Sequence, residues 1–180
     1  FYDSINYKNN LLNNIIDLCN IIKFIHINGI IHRDLKPTNI CLNSNYKLYL
    51  IDFGISKIYM DKNKHIEEKT IKDIIGSINF SSLNIINLIE PSRRDDMESI
   101  LYIFLYMILN NNYYIAYNNL DNYKKKDINI IIKVLKLQYD SYIFEFSIFE
   151  KLFYYIRRLK FNQGPNYDYI TSLFNKLFLT

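Results

Sequence analysis

Three residue types able to handle a phosphoryl group stand close together in "HRDLKPTN" (32–39). Asp34 can accept or orient the proton of a substrate hydroxyl, Lys36 can reach a transferring phosphate, and Asn39 offers a neutral carbonyl oxygen to a hard cation such as Mg²⁺. Thirteen residues after Asn39 comes "DFG", Asp52 to Gly54. Asp52 adds an anionic metal ligand, and Gly54 is expected to permit the backbone turn that aims it. Phosphoryl transfer asks a protein for an oriented hydroxyl, metal ions on the phosphates and positive charge near the transferred group. Each piece alone has an ordinary reading as a turn or a surface ion pair. Their order, on either side of a hairpin signal, argues for a shared site.

The elements that must position these residues are legible in outline. "LLNNIIDLCNIIKFIH" (11–26) repeats apolar residues at helical spacing, and "NG" at 28–29 is a helix stop, so a helix is expected over 11–28 ahead of the loop 32–39. "NICLN" (39–43) and "KLYLI" (47–51) flank the turn signal "NSNY", which predicts a hairpin bringing Asn39 and Asp52 to one side. Residues 52–91 read as irregular. Helical patterns follow at 94–110, 128–138, 146–160 and 167–178, with "NQGPNY" (162–167) separating the last two. The expected fold is mainly α with one small β-hairpin.

Composition narrows the class. The chain has 180 residues, 49% hydrophobic and 22% charged, which suits one globular domain with its own core. A net charge of +4 is too mild to argue for nucleic acid or a membrane surface as partner. Its longest apolar run, "ILYIFLYMIL" (100–109), is short for a bilayer and fits a buried helix. Cys19 and Cys41 show no metal-like spacing, and the simple reading is a reducing intracellular compartment, cytoplasmic or nuclear. The abundant Asn, Ile and Lys share AT-rich codons and carry little functional weight.

With these motifs in place, the chain resembles the C-terminal lobe of a eukaryotic protein kinase. "GSINFSSLNIINLIEPSRRDDMES" (76–99) is similar to the casein kinase 1 family in particular. That family carries Gly-Thr-Ala-Arg-Tyr-Ala-Ser-Ile-Asn followed by Ser-Arg-Arg-Asp-Asp-Leu-Glu-Ser. Ser82, Leu83 and Asn84 stand where the family has Ser-Ile-Asn, and "KFNQGPNYDYITSLFNKLF" (160–178) resembles the end of its catalytic domain. The resemblance implies a Ser/Thr protein kinase using ATP and Mg²⁺, with protein Ser or Thr as substrate. Asp34 would be the catalytic base and Lys36 the phosphate contact. Asn39 and Asp52 would hold the metal, and Cys41 and Ile51 would form the adenine floor. Ser77 would help hold Asp34 and Lys36, and Asp96 would brace the His32–Arg33 backbone. Arg157 would pack near Asn84. The activation segment would be 52–91 and the helical subdomain 94–180.

Three departures accompany the resemblance. No glycine-rich loop or Lys-bearing strand is recognisable, so the chain is expected to be a C-lobe portion without its N-lobe; its start at Phe1 reads as a fragment, a processed product or an incomplete gene model. The alternative is a non-catalytic, pseudokinase-like substrate-binding module. Asn79 replaces a family Arg that recognises phosphorylated sites, while "YKKKD" (123–127) supplies basic residues in a related region, so a weakened preference for such primed sites is expected. "NIINLIE" (84–90) replaces small and polar family residues along the expected peptide-binding edge.

Overall fold

The protein is described here from a computed structural model. The structure describes residues 2–109 and 145–177, with side chains from Asn10 to Ile108 and from Glu145 to Leu177. Among these residues the elements are α1 (Tyr2–Ile27), β1 (Ile30–Ile31), a 3-10 turn (Pro37–Asn39), β2 (Ile40–Leu42), β3 (Leu48–Leu50), β4 (Lys57–Ile58), β5 (Met60–Asp61) and β6 (Lys64–His65). Then follow α2 (Leu83–Ile86), α3 (Arg93–Leu109), α4 (Phe146–Arg157) and α5 (Tyr167–Phe174). The expected helix at 128–138 and the basic "YKKKD" lie outside the described residues.

The core is helical. α3 is its axis: Ile100, Leu101, Tyr102, Ile103, Phe104 and Leu105 are all buried, so the helix is enclosed on every side. α1 contributes Leu11, Ile15, Leu18, Cys19, Ile22 and Ile25, the stripe that its apolar spacing predicts. α4 adds Phe149, Leu152, Phe153 and Ile156, and α5 adds Ile170, Leu173 and Phe174. Each such side chain is worth about 1.5–3 kcal/mol of burial as an upper estimate. No described helix is long and apolar enough to cross a membrane.

Several boundaries differ from expectation. α1 begins at Tyr2 rather than near 11, because the polar "YDSINYKNN" holds no helix breaker, although its apolar spacing is weak. α4 stops at Arg157 rather than 160: the Gln163 side chain accepts from the Lys160 backbone N–H and closes a turn there. α5 ends at Phe174, where the following residues continue in tighter i→i−3 bonds. The largest correction concerns 52–91. It contains β4, β5, β6 and α2, short elements whose apolar content is too small to leave a periodic signal. Three two-stranded antiparallel sheets are therefore present among the described residues instead of one hairpin: β1–β4, β2–β3 and β5–β6.

The expected features hold where the chemistry is local. Gly29 adopts φ 78 and its N–H bonds to the His26 carbonyl, closing α1. Asn43 Oδ1 accepts from the N–H groups of Asn45 and Lys47, which shapes the turn between β2 and β3.

Candidate functional site

Asp34 is nine-tenths buried, and both its oxygens are held. Oδ1 accepts the Ser77 backbone N–H at 2.9 Å, and Oδ2 accepts Lys36 Nζ at 2.7 Å. Burial raises its pKa, but the hydrogen bonds from Lys36 and Ser77 outweigh that, and the net direction is downward. Asp34 is thus an acceptor-only carboxylate at neutral pH. Asn39, also buried, donates from Nδ2 to the Asp34 carbonyl at 2.9 Å. Its Oδ1 takes no hydrogen bond among the described residues.

The loop that carries Asp34 is pinned from beneath. Asp96, in the first turn of α3, accepts the His32 N–H at 2.7 Å and the Arg33 N–H at 2.9 Å. Arg33 adopts φ 70, a left-handed conformation that costs a non-glycine residue about 1–3 kcal/mol and needs such support. A third bond to Asp96, at 2.9 Å, comes from His26 Nε2 at the end of α1. Burial raises the Asp96 pKa, and its bonds to His26 and the two backbone N–H groups lower it further than burial raises it. On the other side of the ring, His26 Nδ1 lies 2.8 Å from the Tyr167 hydroxyl on α5.

His32 links the two halves of the site. Its Nδ1 faces the Asp34 backbone N–H at 3.3 Å and therefore accepts. The proton then lies on Nε2 and points to the Ile51 carbonyl at 3.2 Å. Ile51 in turn donates its N–H to the Asn39 carbonyl at 2.9 Å. The hairpin therefore sets Asp52 beside Asn39, on one side, as its spacing predicts.

At "DFG" the unusual backbone angle belongs to Asp52, with φ 63, rather than to Gly54 as the sequence suggests. Asp tolerates that region better than most residues. The Gly54 N–H bonds Asp52 Oδ1 at 3.3 Å, and a Cβ on Gly54 would meet that oxygen at 3.1 Å. Asp52 is exposed, as are Cys41 and Ile51. Asp52 presents an exposed carboxylate and Asn39 an unbonded amide oxygen, both oxygen donors of the kind a hard cation takes. No cluster of three or more His, Cys, Asp or Glu able to hold a metal exists among the described residues.

Gly76 brings Ser77 to Asp34. Its φ is 79, and a Cβ there would lie 2.4 Å from the Arg33 carbonyl oxygen. Only glycine permits that approach. Arg157 reaches the α2 region through Glu98: its Nε and one terminal nitrogen donate to Glu98 Oε1 at 3.2 and 3.1 Å, and the same oxygen accepts the Leu83 N–H. Asn84 bonds Asp95 instead, at 3.0 Å.

Sequence reasoning missed His26, Glu90, Asp95 and Glu98. Asp95 is buried and accepts from Ser82, Asn84 and the Ser92 N–H, yet burial dominates and pushes its pKa up to about 6. Glu90 carried one readable signal, a lone carboxylate inside the apolar stretch "NLIEP".

With this geometry described, the chain's relatives can be compared. The sequence model of the protein kinase domain matches residues 4–172. A protein described as "Probable casein kinase I homolog", from Encephalitozoon cuniculi, is 34% identical over 166 residues, covering 89% of this chain and 52% of that protein. The chain thus spans about half the length of that relative. It belongs to the protein kinase domain family and, within it, to the casein kinase 1 family.

Proposed function

We propose that the chain carries the catalytic-loop portion of a Ser/Thr protein kinase, which moves the γ-phosphate of Mg-ATP to a protein hydroxyl. The observation that carries this reading is the Asp34 carboxylate, fixed on one oxygen by Ser77 and on the other by Lys36. A carboxylate held below its ordinary range takes a proton reluctantly. Asp34 therefore orients the incoming hydroxyl and receives its proton late, which suits a loose phosphoryl-transfer transition state. Lys36 supplies positive charge beside the transferred group. Asn39 Oδ1 and Asp52 would hold the metal ion, which supplies charge neutralisation on the phosphates when bound. Cys41 and Ile51, exposed along the hairpin edge, would meet the adenine.

Asn79, in the place of a family Arg, supports a weakened preference for already phosphorylated sites. The test of the metal assignment is phosphate transfer to casein across a Mg²⁺ titration. Asn39→Ala and Asp52→Ala are expected to lose activity at least 100-fold, with Asp52→Ala the more severe. Wild-type transfer that survives both substitutions would refute the assignment. No transfer by the wild-type chain at any Mg²⁺ concentration would favour the non-catalytic binding module.

A further inference from the structure

Glu90 has no part in the chemistry above, yet its side chain is only 3% exposed while facing three cations. Lys57 Nζ lies 2.7 Å from Oε1, an Arg33 terminal nitrogen 3.8 Å from Oε1, and Lys69 Nζ 4.0 Å from Oε2. The Lys69 side chain is mostly exposed and contributes little. Lys57 and Arg33 are more enclosed, so their charges depend on the buried carboxylate. These cations come from separate places: Arg33 adjoins Asp34, and Lys57 lies on β4, just past "DFG".

The backbone around Glu90 reaches the site by a second route. The Glu90 N–H bonds the Lys69 carbonyl at 2.9 Å, Thr70 and Ile89 form a bridge, and the Ile71 N–H bonds the Leu88 carbonyl at 2.8 Å. From that anchor the chain runs five residues to Gly76, against the Arg33 carbonyl, and to Ser77, on Asp34. Arg33 itself is held at φ 70 with its Nε on the Ile55 carbonyl at 2.6 Å. Both routes start at Glu90 and converge on the two sides of Asp34.

We propose that Glu90 is a positioning residue for Asp34: its buried carboxylate clamps Arg33 and Lys57 and so docks the segment 57–90 onto the catalytic loop. Neutralising it leaves Lys57 and Arg33 uncompensated in a half-buried site, and the docking loosens locally while the helical core keeps its packing. This inference rests on the kinase reading only for its functional consequence.

Hydrogen exchange of backbone amides on the full chain tests it, with wild type, Glu90→Gln and Glu90→Asp compared. Glu90→Gln is expected to speed exchange at least tenfold in 31–36 and 70–80, with α3 and α4 within twofold of wild type. Glu90→Asp is expected to restore part of that protection. Unchanged exchange at 31–36 in Glu90→Gln, an equal rise in α3 and α4, or no restoration by Asp would overturn the proposal. Should Glu90→Gln fail to fold, Lys57→Met opens the same clamp from the partly exposed side and is expected to show the same local pattern; uniform protection there would overturn it. Where the wild type transfers phosphate, Glu90→Gln is expected to lower kcat with KM within twofold. Where it transfers none, the proposed function fails while the exchange comparison still decides this inference.

Discussion

Replacing Asp96 by Asn should unfasten the catalytic loop. The carboxylate takes three bonds, from His26 Nε2, the His32 N–H and the Arg33 N–H, and is fully enclosed. Asn offers one carbonyl oxygen and one NH₂ group. However the amide is turned, its NH₂ faces at least one buried donor. Bonds to a charged acceptor are worth about 1.5–3 kcal/mol each, and breaking a buried pair costs about 3–5 kcal/mol. We expect Asp96→Asn to lose about 3–5 kcal/mol, which at about 2–4 °C per kcal/mol lowers Tm by about 6–20 °C. Urea unfolding followed by far-UV circular dichroism measures this, with an unchanged m-value required. The sign with pH is fixed by the lowered pKa. Stability from Asp96 is fully present above the ordinary carboxylate range and is lost as pH falls through the folded value, so the gap between wild type and variant should close in strong acid. A loss below about 1 kcal/mol at pH 7 would refute the bracing role.

Two further outcomes follow from the geometry. Gly76→Ala places a Cβ 2.4 Å from the Arg33 carbonyl oxygen at φ 79, so the segment must retreat by most of an ångström; a shift of that size at a reacting group costs up to about 100-fold in rate, readable as a fall in kcat. Asp95, with a folded pKa raised to about 6, binds a proton that the unfolded chain has released, so its stabilisation is full below about pH 4 and lost as pH rises through 6. Relative to Asp95→Asn, wild type should therefore gain on the order of 2 kcal/mol between pH 7 and pH 4 in denaturant titrations.

What could be read in the sequence was whatever is encoded within a few residues. Asp34, Lys36 and Asn39 share one loop, and Asp52 lies one hairpin away, so type and spacing sufficed. The positions that hold them are distant in the chain. His26 and Asp96 are far apart in sequence, and a helix-terminal His has no local mark of a carboxylate partner. Ser77 was reached through family resemblance; Asp34 meets both its side chain and its backbone N–H, and the second contact is one any residue could make, so it leaves no mark in the sequence. The strain at "DFG" fell on Asp52 rather than Gly54, because the carboxylate that takes the Gly54 N–H stabilises its own left-handed backbone. The short strands β4, β5 and β6 span two residues each, too few for any periodicity.

The most direct test is transfer of labelled γ-phosphate from Mg-ATP to casein by wild type and Asp34→Asn, purified side by side and matched for folding by circular dichroism. Asn preserves the shape and can still meet Ser77, but it cannot receive the hydroxyl proton. Wild type should yield phosphoserine or phosphothreonine and the variant should fall at least 100-fold, within the range by which positioned acid–base groups accelerate reactions. Equal signals from the two proteins would contradict the role given to Asp34.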